Sequence, residues 1–186
     1  MKLWHPPDSA DIPANAEGDL IRYGRKLIEN TAEYLGPRGK IRASSNGMNC
    51  QNCHLDAGTK IFGNNYGAVA STYPKLRARS GTVESVEKRV NDCFERSLNG
   101  KALDTTSKEM QAIVAYINWL GKDIPKGTVP EGSGLKKVDF LTRAANPENG
   151  KNIYIQQCAV CHQKDGLGKM NDAGTAYTYP PWWGKN

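Results

Sequence analysis

Cys50-Gln51-Asn52-Cys53-His54 and Cys158-Ala159-Val160-Cys161-His162 are two copies of one pentapeptide, Cys-x-x-Cys-His. This pattern is a signature of covalent c-type haem attachment, in which two thiols react with the two vinyl groups of one haem and the adjacent imidazole binds the iron. A second copy in the same chain makes a coincidental match improbable. The sequence therefore predicts two covalently bound haem c groups, one on Cys50, Cys53 and His54 and one on Cys158, Cys161 and His162.

Zinc binding and disulfide formation are the alternatives for these four cysteines. A structural zinc site can consist of two Cys-x-x-Cys pairs, but the two histidines would then follow the pairs by coincidence. A redox-active Cys-x-x-Cys typically begins a helix after a strand, and the chain shows no alternation of strands and helices. Haem attachment is therefore the favoured interpretation.

Apolar residues recur at helical spacing and predict a mainly α-helical chain. Capping and terminating residues delimit the helices. We expect helices at residues 19–35, at 83–98 after an N-cap at Thr82, at 107–120 and at 148–157. Residues 37–82 are rich in Gly, Ser and Asn and carry the first haem motif, so they are predicted as a long loop around a cofactor.

The succession of a helix and a haem motif occurs twice, which predicts two cytochrome c-like units. We expect residues 1–121 to form the first unit with haem 1, residues 122–140 to be a Gly- and Pro-containing linker, and residues 141–186 to begin the second unit with haem 2. Only 24 residues follow His162 (186 − 162). The second unit is therefore expected to be truncated at its C-terminus.

Composition and charge exclude several classes of protein. The formal charge is +6, but no basic run of five or more residues is present, so a nucleic-acid partner is not expected. No segment has the roughly 18 consecutive apolar residues of a membrane span. The N-terminus has no apolar signal-peptide core. Because c-type haem is assembled in an oxidising compartment, we expect a periplasmic or otherwise exported protein.

Cys93 is the most informative candidate for a further haem ligand. It is either a small buried hydrophobic residue or a thiolate ligand of the first haem iron. Arg89 and Ser97 lie four residues before and after it, and so share its face of the predicted helix. Arg79 precedes the helix and can fold back, and a guanidinium suits an oxyanion. The weaker ligand candidates are His5, Met1, Met48, Met110 and Met170.

The pattern Arg79-x9-Arg89-x3-Cys93-x3-Ser97 resembles the thiosulfate dehydrogenases, periplasmic dihaem cytochromes that form tetrathionate. The similarity extends over about residues 17–184 and includes Tyr179-Pro180-Pro181. The resemblance implies that His54 and Cys93 are the axial ligands of an active-site haem, and that Cys93 leaves the iron during turnover. It also implies thiosulfate binding by Arg79, Arg89 and Ser97, and electron transfer through the His162-ligated haem to an acceptor such as another soluble cytochrome c.

Two other functions are compatible with the sequence. A non-catalytic dihaem electron carrier would have Cys93 in its core and both arginines on its surface. A haem subunit of a Sox-type sulfur-oxidising complex would also use a Cys-ligated haem, but would need a partner protein. Tetrathionate reduction, the reverse reaction, is not distinguished from oxidation by the sequence.

Overall fold

The computed structural model describes residues 3–175 and 177–183. It is mainly α-helical, as predicted. Its described residues form two compact units, the first ending at Lys137 and the second beginning at Val138. The helices are α1 (Ala16–Glu29), α2 (Thr31–Leu35), α3 (Leu55–Gly58), α4 (Val69–Thr72), α5 (Val86–Asp92), α6 (Lys108–Leu120), α7 (Pro147–Gln157) and α8 (Ala159–His162).

In the described part of the chain, short strands pair into three small antiparallel ribbons. The strands are β1 (Gly63–Asn65), β2 (Lys75–Arg77), β3 (Thr82–Glu84), β4 (Gly134–Leu135), β5 (Lys169–Met170) and β6 (Tyr177–Tyr179), paired as β1–β4, β2–β3 and β5–β6. Among the described residues, no helix is both long and apolar enough to cross a membrane.

Helices α1 and α6 pack against each other and form the core of the first unit. The Asn15 side chain caps α1 by accepting a hydrogen bond from Gly18 N, and Ser107 caps α6 by accepting one from Met110 N. The predicted helix at 107–120 is confirmed, and the one at 19–35 is divided at Asn30 into α1 and α2. Residues from both long helices, including Ile21, Leu27, Ile28, Met110, Ile113, Ile117 and Leu120, are buried together.

The helix predicted at 83–98 begins later than expected. Thr82 is not its N-cap, because Thr82 belongs to β3 and pairs with Arg77 across a hairpin. The cap is Ser85, whose hydroxyl accepts a hydrogen bond from Lys88 N. Beyond Asp92 the helix widens into a π-helical turn, Cys93–Ser97, closed by a hydrogen bond of 2.9 Å from Leu98 N to Cys93 O.

The first part of the segment predicted as a linker is attached to the first unit. The Asn65 side chain donates to Gly132 O (2.7 Å) and accepts from Gly134 N (3.2 Å). Trp4 N donates to Glu131 O at 2.7 Å, and the Lys126 ammonium donates to Ala70 O at 2.6 Å. These bonds fix residues 126–134 beside the loop that follows the first haem motif.

The second unit consists of α7, the haem motif and the ribbon β5–β6. Asn146 caps α7 through its side chain, which accepts from Asn149 N at 2.9 Å, and Pro147 occupies the first helical turn. The predicted helix at 148–157 is thereby confirmed to within one residue. Several apolar side chains of this unit are exposed, among them Phe140, Val160, Trp182 and Trp183.

Candidate functional site

A cavity of about 500 Å³ lies in the first unit, within the size range of ligand pockets. Its walls come from the first haem motif, the loop after it, the hairpin β2–β3, α5 with the π-helical turn, and the buried faces of α1 and α6. Most of the wall is apolar. The lining residues that bear on the chemistry are Cys50, Cys53, His54, Arg77, Arg89, Cys93 and Ser97.

The first haem motif is fixed to α2 through Thr31, which is fully buried. The Thr31 hydroxyl accepts a hydrogen bond from Cys50 N (3.0 Å) and donates to Leu27 O (2.8 Å). A short 3-10 helix, Cys50–Asn52, follows, and His54 N donates to Cys50 O at 3.0 Å. Burial raises the pKa of the Cys50 thiol to about 11. The tight turn brings both thiols and the imidazole to the same wall.

His54 is oriented by two contacts. Its Nδ1 lies 2.6 Å from Asn64 O, and since a carbonyl can only accept, Nδ1 carries the proton and Nε2 is available as a ligand. The Tyr66 ring stacks on the imidazole, with the ring centroids 4.5 Å apart. Burial lowers the pKa of His54, so the neutral, iron-binding form is favoured.

Gly58 leaves the space that Tyr66 needs for this stacking. A Cβ at Gly58 would lie 2.1 Å from the Tyr66 ring, and the residue has φ +78°, a conformation that side chains disfavour. The cavity wall around His54 is thus formed by the segment that follows the first haem motif as well as by the motif itself.

Arg89, Cys93 and Ser97 all line the cavity, as expected for residues that share a helix face. Burial raises the pKa of the Cys93 thiol, while the Arg89 charge and a hydrogen bond from Ser97 act in the opposite direction. Because a π-helical turn often marks a functional site, its position at Cys93–Ser97 is consistent with a specialised role.

The structure does not bring Arg79 to the cavity. Arg79 is exposed in the turn between β2 and β3, and the described lining residues do not include it. Arg77, which was not selected from the sequence, is half-buried at the end of β2 and lines the cavity instead. The sequence carries no signal for Arg77, because its position depends on the pairing of β2 with β3 in a region predicted only as a loop.

The other ligand candidates lie in different settings. Met110 is fully buried in the core, as expected for its apolar helix stripe. Met48 lines the cavity and is 40% exposed. Met170 is exposed in β5, and His5 is exposed near the N-terminus. Met1 lies outside the described residues.

The second haem motif repeats the hydrogen-bonding pattern of the first. His162 Nδ1 lies 2.9 Å from Pro180 O, so Nε2 is again available for a metal. Trp182 meets the imidazole edge-on, with the ring centroids 5.2 Å apart. The Tyr154 hydroxyl donates to Gln163 O at 2.7 Å and ties α7 to the end of the motif.

The donor set fits covalently attached haem better than the alternatives. Each motif presents two free thiols and an imidazole whose Nδ1 is held by a carbonyl. None of the five cysteines is paired in a disulfide. Across residues 3–175 and 177–183, no three His, Cys, Asp or Glu side chains converge on a metal-ion position.

Comparison with known proteins gives consistent results. Residues 40–125 match the family described as SoxA/TsdA, cytochrome c domain. The chain is 41% identical over 174 residues to a thiosulfate dehydrogenase of Psychrobacter arcticus, covering 94% of this chain and 51% of the relative. It is 37% identical over 187 residues to a thiosulfate dehydrogenase of Stutzerimonas stutzeri, covering 98% of this chain and 57% of the relative.

A solved structure shares the fold. The thiosulfate dehydrogenase TsdBA of Marichromatium purpuratum, in its as-isolated form, superposes with a TM-score of 0.74 at 27% identity, covering 99% of this chain and 40% of that one. The chain thus spans about half the length of the curated relatives named above.

Proposed function

Because the chain carries a cytochrome c domain of the SoxA/TsdA family with covalently bound haem c, we propose that it is a thiosulfate dehydrogenase that joins two thiosulfate ions into tetrathionate. One observation carries the proposal. A single cavity contains the haem-attachment residues, a partly buried thiol at Cys93 and a guanidinium at Arg89. A non-catalytic electron carrier needs neither the Cys93 thiol nor the Arg89 guanidinium in this cavity.

The proposed reaction balances without a proton. Two thiosulfate dianions form one sulfur–sulfur bond between their terminal sulfur atoms and release two electrons, giving one tetrathionate dianion. Haem c, when bound, supplies a one-electron acceptor. The electrons pass to an external one-electron oxidant, which we propose is a soluble protein such as another cytochrome c.

The residues of the first unit have defined tasks in this scheme. His54 would hold the haem iron through Nε2, with the orientation of the imidazole set by Asn64 O and Tyr66. Cys93 would supply a sulfur ligand to the haem iron. Arg89 offsets the charge of the dianions in a partly desolvated site, where electrostatic interactions are stronger than in water.

We propose that Cys158, Cys161 and His162 would hold a second haem c, which would supply a further one-electron acceptor. The hydrogen bond between His162 Nδ1 and Pro180 O supports this proposal, because it matches that of His54 with Asn64 O. Two haems can take up the two electrons singly. Assembly of c-type haem outside the cytoplasm leads us to propose a periplasmic or otherwise exported protein.

A second candidate function follows from the breadth of the family, whose description covers SoxA as well as TsdA. In a Sox-type complex the chain would oxidise sulfur anions only together with a partner that carries the sulfur. Activity of the purified protein by itself distinguishes the two candidates.

The test is an anaerobic assay of the holoprotein produced from its complete coding sequence. Thiosulfate and ferricyanide are added, and tetrathionate and ferrocyanide are quantified. We expect one tetrathionate for every two ferricyanide ions reduced, without a second protein. Ferricyanide reduction without tetrathionate, or activity only after addition of a partner protein, would contradict the proposal.

A further inference from the structure

One hydroxyl of α2, that of the fully buried Thr31, contacts Cys50 at two atoms. Thr31 Oγ1 accepts a hydrogen bond from Cys50 N at 3.0 Å and lies 3.2 Å from Cys50 Sγ. The same hydroxyl donates to Leu27 O at 2.8 Å, which ties it to the end of α1. Thr31 therefore holds both the backbone and the sulfur atom of the first haem-attachment cysteine.

The chemistry of the hydroxyl suits the Cys50 sulfur before and after haem attachment. A threonine hydroxyl has one proton and two lone pairs, and it rotates to match its partners. A thiol can donate its S–H proton to Oγ1, whereas a thioether sulfur, which has no proton, can accept the hydroxyl proton weakly. The contact of 3.2 Å is thus favourable for both states of Cys50.

The second haem motif is held differently. Cys158 N donates to a backbone oxygen, Tyr154 O, at 2.8 Å, where Cys50 N donates to the Thr31 hydroxyl. A substitution can remove the acceptor of Cys50 N but not that of Cys158 N. The two motifs of one chain therefore provide an internal comparison.

Within the first motif, two of the three haem-binding groups are oriented from outside the motif. The His54 ring is oriented by Asn64 O, and Cys50 is held by Thr31. The Cys53 side chain, in contrast, is exposed. Loss of the Thr31 hydroxyl should therefore affect Cys50 and spare Cys53.

We propose that Thr31 is a positioning residue for covalent haem attachment at Cys50. In this step the Cys50 S–H bond adds across a vinyl C=C bond of the haem. A sulfur–carbon bond forms at the vinyl carbon next to the porphyrin ring, and the thiol hydrogen goes to the terminal carbon. No atom is released and no electron is gained or lost. Holding the sulfur in place favours this addition, because correctly oriented groups react much faster than free ones.

The inference concerns haem c alone and does not depend on thiosulfate as the substrate. Its test compares the holoproteins with Thr31→Val, Thr31→Ser and Thr72→Val. Thr31→Val removes the hydroxyl and keeps the branched shape of the side chain. Thr72→Val is the matched control, because the Thr72 hydroxyl also donates to the carbonyl four residues earlier, Ala68 O at 2.6 Å.

The measurement identifies the cysteines that carry no thioether. Each protein is denatured and alkylated with iodoacetamide, and its peptides are analysed by mass spectrometry. Because thioether formation releases no atoms, the alkyl label and not the mass of the haem peptide distinguishes one thioether from two. Cys93 lies outside both haem motifs and verifies that labelling is complete. Reduced stability of a variant does not affect the result, since the protein is denatured first.

We expect Thr31→Val to carry the label at Cys50 while its haem remains attached through Cys53. The absorption band of the reduced pyridine complex should shift to longer wavelength, because one vinyl group stays conjugated with the porphyrin. Thr31→Ser, which keeps a hydroxyl, and Thr72→Val should leave Cys50 unlabelled. The second haem motif should be unlabelled in every protein.

Three results would overturn the inference. The first is a Cys50 that is as unlabelled in Thr31→Val as in the wild type. The second is label at Cys50 in Thr72→Val to the same extent, or equally in both haem motifs. The third is label at Cys50 and Cys53 together in Thr31→Val, because Thr31 contacts only the first of these two cysteines.

Discussion

The positive charge of Arg89 acts on the partly buried Cys93 thiol in the same cavity. Burial disfavours the charged form of Cys93, and the positive charge of Arg89 is the largest effect in the opposite direction. Arg89 is itself unpaired among the described ion pairs. The same guanidinium can therefore support a thiolate ligand and attract a substrate dianion.

Arg89→Gln is expected to lower kcat/KM for thiosulfate roughly 10- to 100-fold, because hydrogen bonds to charged groups contribute about 1.5–3 kcal/mol. Arg96→Gln is the control, since Arg96 is exposed on the π-helical turn that follows α5 and does not line the cavity. Steady-state kinetics with ferricyanide checks the prediction. Equal activity of the two variants would contradict it.

The sequence predicted part of the site because helical spacing can be read without a structure. Arg89, Cys93 and Ser97 recur every four residues, and all three line one cavity. Arg77 could not be found in this way, because its position depends on a hairpin within a region that the sequence indicated only as a loop. Arg79 fits a sequence pattern, but the hairpin turn exposes it.

At the scale of elements, α1 and α6 pack closely against each other, and both contribute residues to the cavity wall. Gly24 makes the close approach possible, because a Cβ there would lie 1.9 Å from Ala112 O. Both helices were predictable from their apolar periodicity and polar caps. Their crossing point was not predictable from the sequence. It requires a residue without a side chain at position 24, whereas helix propensity alone favours alanine there.

Gly24→Ala is expected to destabilise the first unit by about 1–3 kcal/mol or more, because overpacking at the crossing exceeds the gain in helix propensity. Gly150→Ala in α7 is the matched control, since no atom lies within 4 Å of its added Cβ. Denaturant unfolding of the holoproteins measures both. Retention of full stability in Gly24→Ala would show that the helices do not cross as described.

At the scale of the whole first unit, Tyr116 links the core helix to the haem-binding loop. Its hydroxyl donates to Ala57 O at 3.1 Å, and the side chain is 1% exposed. Burial raises the pKa of Tyr116 to about 12, above the value near 10 of an exposed tyrosine. The folded protein thus keeps a proton that the unfolded chain loses at lower pH.

The free energy of unfolding should therefore fall as pH rises from about 10 to 12. The unfolded chain binds fewer protons in that window, so the contribution of Tyr116, on the order of 2 kcal/mol, is present below pH 10 and is lost as pH rises through the folded pKa. Tyr116→Phe should be less stable at pH 8, and should lose less between pH 10 and 12. An equal loss of unfolding free energy in the wild type and in Tyr116→Phe between pH 10 and 12 would contradict the raised pKa of Tyr116.

The most direct test of the account concerns the iron ligands of the first haem. Low-temperature EPR of the oxidised holoprotein should give a thiolate-type low-spin signal that is lost in Cys93→Ala and retained in Met48→Ala, since Met48 is the other sulfur ligand candidate on the cavity wall. The reduction potential of that haem should rise in Cys93→Ala, because a thiolate donates electron density to the iron. An EPR spectrum and a potential unchanged in Cys93→Ala would contradict thiolate ligation and the function built on it.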